Sequence, residues 1–220
     1  MHGFLKIALL AAAFGGVSQA GAQSLDRMQW FNEPDEWRIV GGRTFEMTVP
    51  AKTDYWRKAH YGFTVDDAPF YYATYGGEFE AKVKLTGEYV TTFDQLGLML
   101  RIDHENWIKA GIEFVDGCQN ISAVVTHGTS DWSVIKLKEA PRSVWIKAVR
   151  RLDAVELFYS FDDREYTMMR TCWLQDNCPV MVGLMGACPD GVGFKALFEE
   201  FSVKRLPDLR RQQWAERQRE

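Results

Sequence analysis

The feature that most constrains the fold of this chain is a strict two-residue alternation of apolar and polar side chains. In residues 78–85, apolar side chains alternate with glutamate and lysine, and similar alternation recurs in 96–102 and 108–114. Because successive side chains of a β-strand point to opposite faces, this pattern is typical of strands that bury one face. It is clearest in antiparallel sheets with one solvated face.

Six further strand-like runs follow, and clusters of turn-forming residues separate them. Many short strands at regular spacing predict an all-β sandwich of two antiparallel sheets. No helical periodicity precedes the C-terminal tail, and there is no interdomain linker or repeat of solenoid length. The additional runs are 121–126, 134–137, 144–149, 155–161, 181–185 and 194–203.

Composition excludes several classes of protein. The 220 residues are 46% hydrophobic and 25% charged, which is unlike a disordered or collagen-like chain. The net charge of -4 argues against a nucleic-acid partner, which normally requires a basic excess. Only the N-terminal apolar run approaches membrane length, so we expect no stable membrane span.

The N-terminus predicts export. Lys6 precedes an apolar run at 7–17, and small residues at 18–22 provide sites for signal cleavage. Residues 1–22 are therefore predicted to be a signal peptide, and the protein to be periplasmic or secreted. The alternative is that translation starts at Met28, which would leave a cytoplasmic protein.

Four cysteines leave the redox state open. An exported chain with this even number allows two disulfides in three connectivities, and the alternative is four ordinary buried thiols. No pair of cysteines has zinc-site spacing, so we assign no metal and no cofactor. The arginine-rich tail, 207–220, is either a solvated end or a short exposed helix anchored by Trp214. The cysteines are Cys118, Cys172, Cys178 and Cys188.

Six short sequence segments resemble those of one known family. In these segments, the chain resembles the regulator-of-enolase-like family of unknown function, which belongs to the concanavalin A-like lectin/glucanase superfamily. The resemblance covers residues 28–204. It implies a jelly-roll β-sandwich and a loose link to carbohydrate metabolism, but it supplies no catalytic residues. The segments are residues 28–34, 52–58, 94–101, 105–114, 130–133 and 158–163.

A predicted hairpin carries the first candidate site. Aligning the apolar sets of 96–102 and 108–114 places Arg101 directly opposite Lys109, with Glu113 on the same polar face. Two facing cations cost roughly 0.2–1 kcal/mol, which a carboxylate or an anionic ligand would offset. This face is either the floor of the concave ligand groove that the resemblance implies or a solvated surface. The aligned pairs are Ile102 with Ile108, Leu100 with Ala110, Leu98 with Ile112 and Gly97 with Glu113.

Aromatic and charged residues form the second candidate site. Asp54, Trp56, Arg57 and His60 lie close together ahead of a strand. Aromatic rings stack on the apolar faces of sugars, and charged groups bond to sugar hydroxyls. The alternative is that the aromatic residues are structural anchors. Trp107 and Trp132 each follow a turn and are either platforms at the rim of a site or plugs beneath a loop.

Together these residues predict a protein that binds a carbohydrate or a sugar acid, slightly favouring an anionic ligand. One alternative is a glycan-active enzyme, a hydrolase or a lyase, that uses Glu113, with Asp54 as a distant partner. The other is a regulatory domain that binds a protein. No catalytic residue is assigned, because glycoside hydrolysis needs a pair of carboxylates, and the closely spaced Glu78 and Glu80 lie on a solvent face.

Overall fold

The computed structural model describes residues 25–219 and is built almost entirely of β-strands. All nine predicted runs are strands. The predicted runs do not include β1–β6 or β14; β3 does alternate and was missed, whereas in β6 apolar side chains lie on both faces. The predicted signal peptide lies outside the described residues. The strands are β1 (Gln29–Phe31), β2 (Trp37–Val40), β3 (Thr44–Val49), β4 (Tyr55–Arg57), β5 (Thr64–Asp66), β6 (Phe70–Tyr75), β7 (Phe79–Gly87), β8 (Gln95–Arg101), β9 (Asn106–Val115), β10 (Cys118–His127), β11 (Thr129–Lys136), β12 (Val144–Arg151), β13 (Ala154–Ser160), β14 (Thr167–Trp173), β15 (Val180–Ala187) and β16 (Phe194–Arg205), with a 3₁₀ turn at Leu25–Arg27 and a helix α1 (Leu209–Arg217).

Two antiparallel sheets of seven strands form the predicted jelly-roll sandwich. The front sheet has the order β1-β6-β15-β8-β9-β10-β11, and the back sheet has the order β14-β13-β12-β7-β16-β3-β2. Strands β4 and β5 pair only with each other. In each sheet, three of the six neighbouring pairs are consecutive strands and three join strands distant in sequence, so the fold combines hairpins with non-local pairing.

The main core lies between the two sheets. In β7, the alternating apolar side chains are at most 1% exposed, and the charged residues between them are half-buried. The apolar faces of β8, β9, β12 and β13 complete this core. Truncating one of its large aliphatic side chains to alanine would cost roughly 2–5 kcal/mol. The predicted core positions Leu98, Ile112, Val155 and Leu157 are all buried.

The outer face of β8 and β9 is largely covered, so it is neither the open groove floor nor the solvated surface that was predicted, although Lys109 and Glu113 still line a cavity there. Residues 54–68, named here the cover hairpin because they contain β4 and β5, lie over β8 and β9. Tyr55 and Trp56 of this hairpin pack with Met99 and Trp107 of the sheet in a second apolar cluster. Strand β8 is consequently buried on both faces, so its polar side chains need protein partners.

The predicted register of β8 and β9 is wrong by two residues. Met99, not Arg101, lies opposite Lys109, and Gly97 faces Gly111. The turn is tighter than predicted, because the Asp103 carboxylate accepts hydrogen bonds from the backbone N–H groups two and three residues later, at 2.8 and 2.9 Å. A shift of two residues leaves every side chain on its predicted face. Arg101, Lys109 and Glu113 therefore still share one face.

The structure decides between the alternatives left open for the cysteines and the tail. All four cysteines are free thiols. Helix α1 buries no side chain, and Trp214 is 60% exposed on it, so the tail forms the exposed helix. Among residues 25–219, no helix has the length and apolar character needed to cross a lipid bilayer.

Candidate functional site

A cavity of about 250 Å³ lies between the cover hairpin and the front sheet. Five of the nine predicted site residues line it, although they come from three separate segments of the chain. The cover hairpin provides one wall, β8 to β11 provide the floor, and loops 89–94 and 188–193 close one side. The predicted residues that meet there are Asp54, Trp56, Lys109, Glu113 and Trp132.

Aromatic rings form most of the wall. Trp56 is nearly buried, and its indole N–H donates to the carbonyl oxygen of Ala59 at 2.9 Å, which fixes the ring. Tyr61 and Phe63 stack on each other, with ring centroids 5.6 Å apart, and remain about half exposed at the mouth. Across the cavity, Phe93 contacts Trp132 edge to face. The rings thus enclose an apolar space that opens to solvent on one side.

Glu113 is the buried acid of the floor. One carboxylate oxygen, Oε2, accepts hydrogen bonds from the Ser122 hydroxyl at 2.6 Å and the Trp132 indole N–H at 2.8 Å. Burial raises the pKa of Glu113, and the nearby Lys109 opposes that shift. No group among residues 25–219 donates a hydrogen bond to Oε1. Glu113 therefore has one anchored oxygen and one that is available to a ligand.

Lys109 is held by the cover hairpin. Its ammonium group lies 3.2 Å from Oδ1 of Asp54 and donates to the carbonyl oxygen of Tyr55 at 2.8 Å. The same Oδ1 accepts from the Gln95 amide at 3.4 Å, whereas no described residue donates to Oδ2. The Lys109 side chain is only 6% exposed. Its charge is thus compensated within the protein, and Asp54, like Glu113, retains an acceptor oxygen without a protein partner.

Arg101 does not line the cavity. Its guanidinium group makes two hydrogen bonds to the Asp66 carboxylate, at 2.5 and 2.7 Å, and stacks on the Phe31 ring at 4.5 Å. The prediction that these two cations face each other is therefore wrong, because Met99 lies opposite Lys109. Each cation has its own carboxylate on the cover hairpin, Asp66 for Arg101 and Asp54 for Lys109.

Three other predicted site residues lie outside the cavity. Arg57 is buried and forms an ion pair with Glu105 at 2.5 Å, which joins the cover hairpin to the turn between β8 and β9. His60 is exposed and contacts the outer edge of Tyr61. Trp107 is 1% exposed beneath Tyr55, so it packs the second cluster and is not a platform at the rim.

Sequence reasoning missed part of the cavity wall. Phe63, Phe93 and Gln95 line it but were not among the predicted site residues. The aromatic pair on either side of Gly62, which has a φ of 77°, was a usable signal for an exposed aromatic turn. Nothing in the local pattern marks Phe93, whose contact with Trp132 joins a loop to the distant strand β11.

Comparison with known families and sequences gives one clear relationship. A family model described as a protein of unknown function (DUF1349) matches residues 30–206. The chain is also 34% identical over 191 residues to a protein named Regulation of enolase protein 1 from Saccharomyces cerevisiae, covering 84% of this chain and 96% of the relative.

Solved structures share the sandwich. A functionally unknown protein from Saccharomyces cerevisiae superposes with a TM-score of 0.80 at 32% identity, covering 84% of this chain and all of the other. A xylan β-1,4-xylosidase from Bacillus halodurans superposes with a TM-score of 0.66 at 15% identity. That match covers 93% of this chain but only 40% of the xylosidase. A carbohydrate-binding module, CBM66, from Bacillus subtilis superposes with a TM-score of 0.50 at 14% identity. That match covers 81% of this chain and 97% of the module. At these low identities, the last two show a shared fold.

Proposed function

Because the chain belongs to the DUF1349 family, whose β-sandwich is also that of a carbohydrate-binding module, we propose that it binds a carbohydrate in the cavity beneath the cover hairpin. The observation that carries this proposal is the combination in one cavity of aromatic walls and carboxylate oxygens without protein partners. A sugar ring presents apolar C–H faces and hydroxyl groups, and the cavity has a complement for each.

The aromatic walls supply the apolar part of recognition. Trp56 of the cover hairpin and Trp132 of β11 both line the cavity, and Tyr61, about half exposed, extends the wall toward solvent. Large aromatic side chains contribute most of the contact energy in such sites because they bury large areas with few rotatable bonds.

The floor supplies the polar part. Oε1 of Glu113 and Oδ2 of Asp54 are acceptors that hydroxyl groups can satisfy. The anchored oxygens hold both carboxylates in place before a ligand arrives, which reduces the ordering cost of binding.

The size of the cavity limits the ligand. Pockets for drug-sized ligands occupy roughly 300–1,000 Å³, and this cavity, at about 250 Å³, lies just below that range. We therefore expect it to take a single sugar residue, such as the end of a chain. A long glycan would extend past the exposed rings of Tyr61 and Phe63.

The test is calorimetric titration with a panel of monosaccharides and disaccharides. We expect at least one sugar to bind, and the Trp132→Ala variant to weaken it at least tenfold, about 1.4 kcal/mol. Trp214→Ala is the matched control, because Trp214 lies exposed on α1 away from the cavity. Thermal melts of both variants check the fold. Absence of binding across the panel, or binding that Trp132→Ala leaves unchanged, would overturn the proposal.

A second candidate function, a glycan-active enzyme, is favoured by one observation. The buried acid Glu113 has a raised pKa, as a general acid requires, and it shares the cavity with Asp54. Hydrolysis of aryl glycosides by the wild-type protein, lost in Glu113→Gln while sugar binding persists, would support this function. A wild-type protein that binds sugars but leaves them intact would exclude it for those substrates.

A further inference from the structure

The charges lining the cavity are unequal. Asp54, Glu113 and Asp190 supply three carboxylates, and Lys109 supplies the only ammonium group among the described lining residues. Lys109 is already engaged by Asp54 and by the carbonyl oxygen of Tyr55. A ligand that enters the cavity therefore meets uncompensated negative charge, and this is the reverse of the field expected from two facing cations.

The two carboxylate oxygens of the floor that have no partner among the described residues are acceptors. Oε1 of Glu113 and Oδ2 of Asp54 accept hydrogen bonds, and an ionised carboxylate has no hydrogen to donate. A ligand carboxylate would place acceptors against acceptors and like charge against like charge. A ligand ammonium group has three donors and the opposite charge, so it satisfies both the hydrogen-bonding and the charge requirements.

The aromatic walls favour the same ligand group. Five rings line the cavity, and two of them are indoles, whose faces attract cations most strongly. An ammonium group that contacts an indole face and a buried carboxylate gains from both contacts, and the gain increases as water is excluded. The rings are those of Trp56, Tyr61, Phe63, Phe93 and Trp132.

We infer that the sugar bound in this cavity is an amino sugar, a residue with a free protonated amine, and that Glu113 is the residue that selects it. The inference rests on the proposed function, since it names the class of carbohydrate for the same cavity. The sugar ring contacts the aromatic wall, and the amine lies at the floor against Oε1 of Glu113. Sugar acids are excluded by the same carboxylates.

The experiment compares matched ligands. Affinities are measured for glucosamine, glucose and glucuronic acid, and for the corresponding galactose series, at pH 7 and low salt. We expect the amine to bind at least tenfold more tightly than the neutral parent, and the acid to bind more weakly than either. Added salt should reduce the advantage of the amine while leaving the neutral sugar unchanged, because salt screens only the charged contact.

Two variants test which carboxylate determines the preference for the amino sugar. Glu113→Gln keeps an oxygen for the Trp132 indole but removes the charge, and it should abolish the preference for the amine. Asp54→Asn removes the carboxylate that compensates Lys109, and it should shift preference toward the acid. Glu139→Gln, an exposed substitution of the same chemistry outside the cavity, should retain wild-type selectivity. Circular dichroism melts confirm that each variant is folded.

The outcomes separate this inference from the proposed function. If a neutral sugar binds as tightly as its amine and Trp132→Ala abolishes both, the inference is overturned and the carbohydrate proposal stands. If no sugar in either series binds, both fail. Choline serves as a probe without a sugar ring: binding of choline but of no sugar would also overturn the inference, since the cavity would then be a site for organic cations.

Discussion

The attachment of the cover hairpin to the front sheet can be tested at a single ion pair. Asp66 on β5 and Arg101 on β8 are 35 residues apart in sequence, and their carboxylate and guanidinium groups make two hydrogen bonds. Substituting Asp66→Ala removes the carboxylate and leaves the guanidinium group under the cover hairpin, between the rings of Phe31 and Tyr55.

The expected loss of stability follows from the burial of the two partners. The Arg101 side chain is 4% exposed and the Asp66 side chain is 28% exposed. Breaking a buried pair by removing one partner costs roughly 3–5 kcal/mol, because the other charge is left uncompensated. Water reaches Asp66 in part, so we take the lower end, about 3 kcal/mol. For a domain of this size, that loss lowers the melting temperature by roughly 6–12 °C.

The assay is urea unfolding followed by tryptophan fluorescence, with a double-mutant cycle to Arg101→Met. The methionine variant removes the buried cation as well, so we expect the double variant to be more stable than Asp66→Ala alone. Arg38→Ala is the control, because Arg38 is 72% exposed in its pair with Glu46 and should cost at most about 1 kcal/mol. An Asp66→Ala loss as small as the control would refute the argument that burial makes this pair strong.

Two further predictions concern residues of β9. Burial raises the pKa of Glu113 above its ordinary value of 4.5, so the folded state holds the proton more tightly than the unfolded state. Its contribution to stability is full below about pH 4.5 and is lost as the pH rises through the raised pKa. As the pH rises from 4 to 7, the free energy of unfolding of Glu113→Gln, measured in urea, should therefore increase relative to that of wild type. A difference between the two proteins that is the same at pH 4 and pH 7 would contradict this. Gly111→Ala should cost roughly 1–3 kcal/mol or more, because its Cβ would overlap the carbonyl oxygen of Leu96 in the backbone of β8. Gly76→Ala, where the added methyl meets open space, is the matched control, and equal unfolding midpoints for the two variants would count against the close approach of β8 and β9.

Much of the fold was predictable because burial repeats along each strand. The alternation in β7 reports directly which side chains enter the core, since backbone geometry sends neighbours to opposite faces. The same reasoning correctly placed Arg101, Lys109 and Glu113 on one face of the front sheet. It failed for β6, where the outer face is also apolar and the two-residue period disappears.

The register and the cover hairpin depended on tertiary structure. A slip of two residues between β8 and β9 preserves every face, so the apolar pattern does not distinguish the two registers. The register is set instead by the turn that the Asp103 carboxylate holds and by the pairing of Gly97 with Gly111.

By itself, the sequence determined that this chain forms a sandwich and that a lysine and a glutamate share one face of a strand. Only the tertiary structure decided that Lys109 is paired by Asp54, that Arg101 is paired by Asp66, and that Glu113 keeps an oxygen open to a cavity. The physical reason is one of range. Side-chain direction follows from each residue's own backbone, whereas the partner of a buried charge is set by which distant segment covers it.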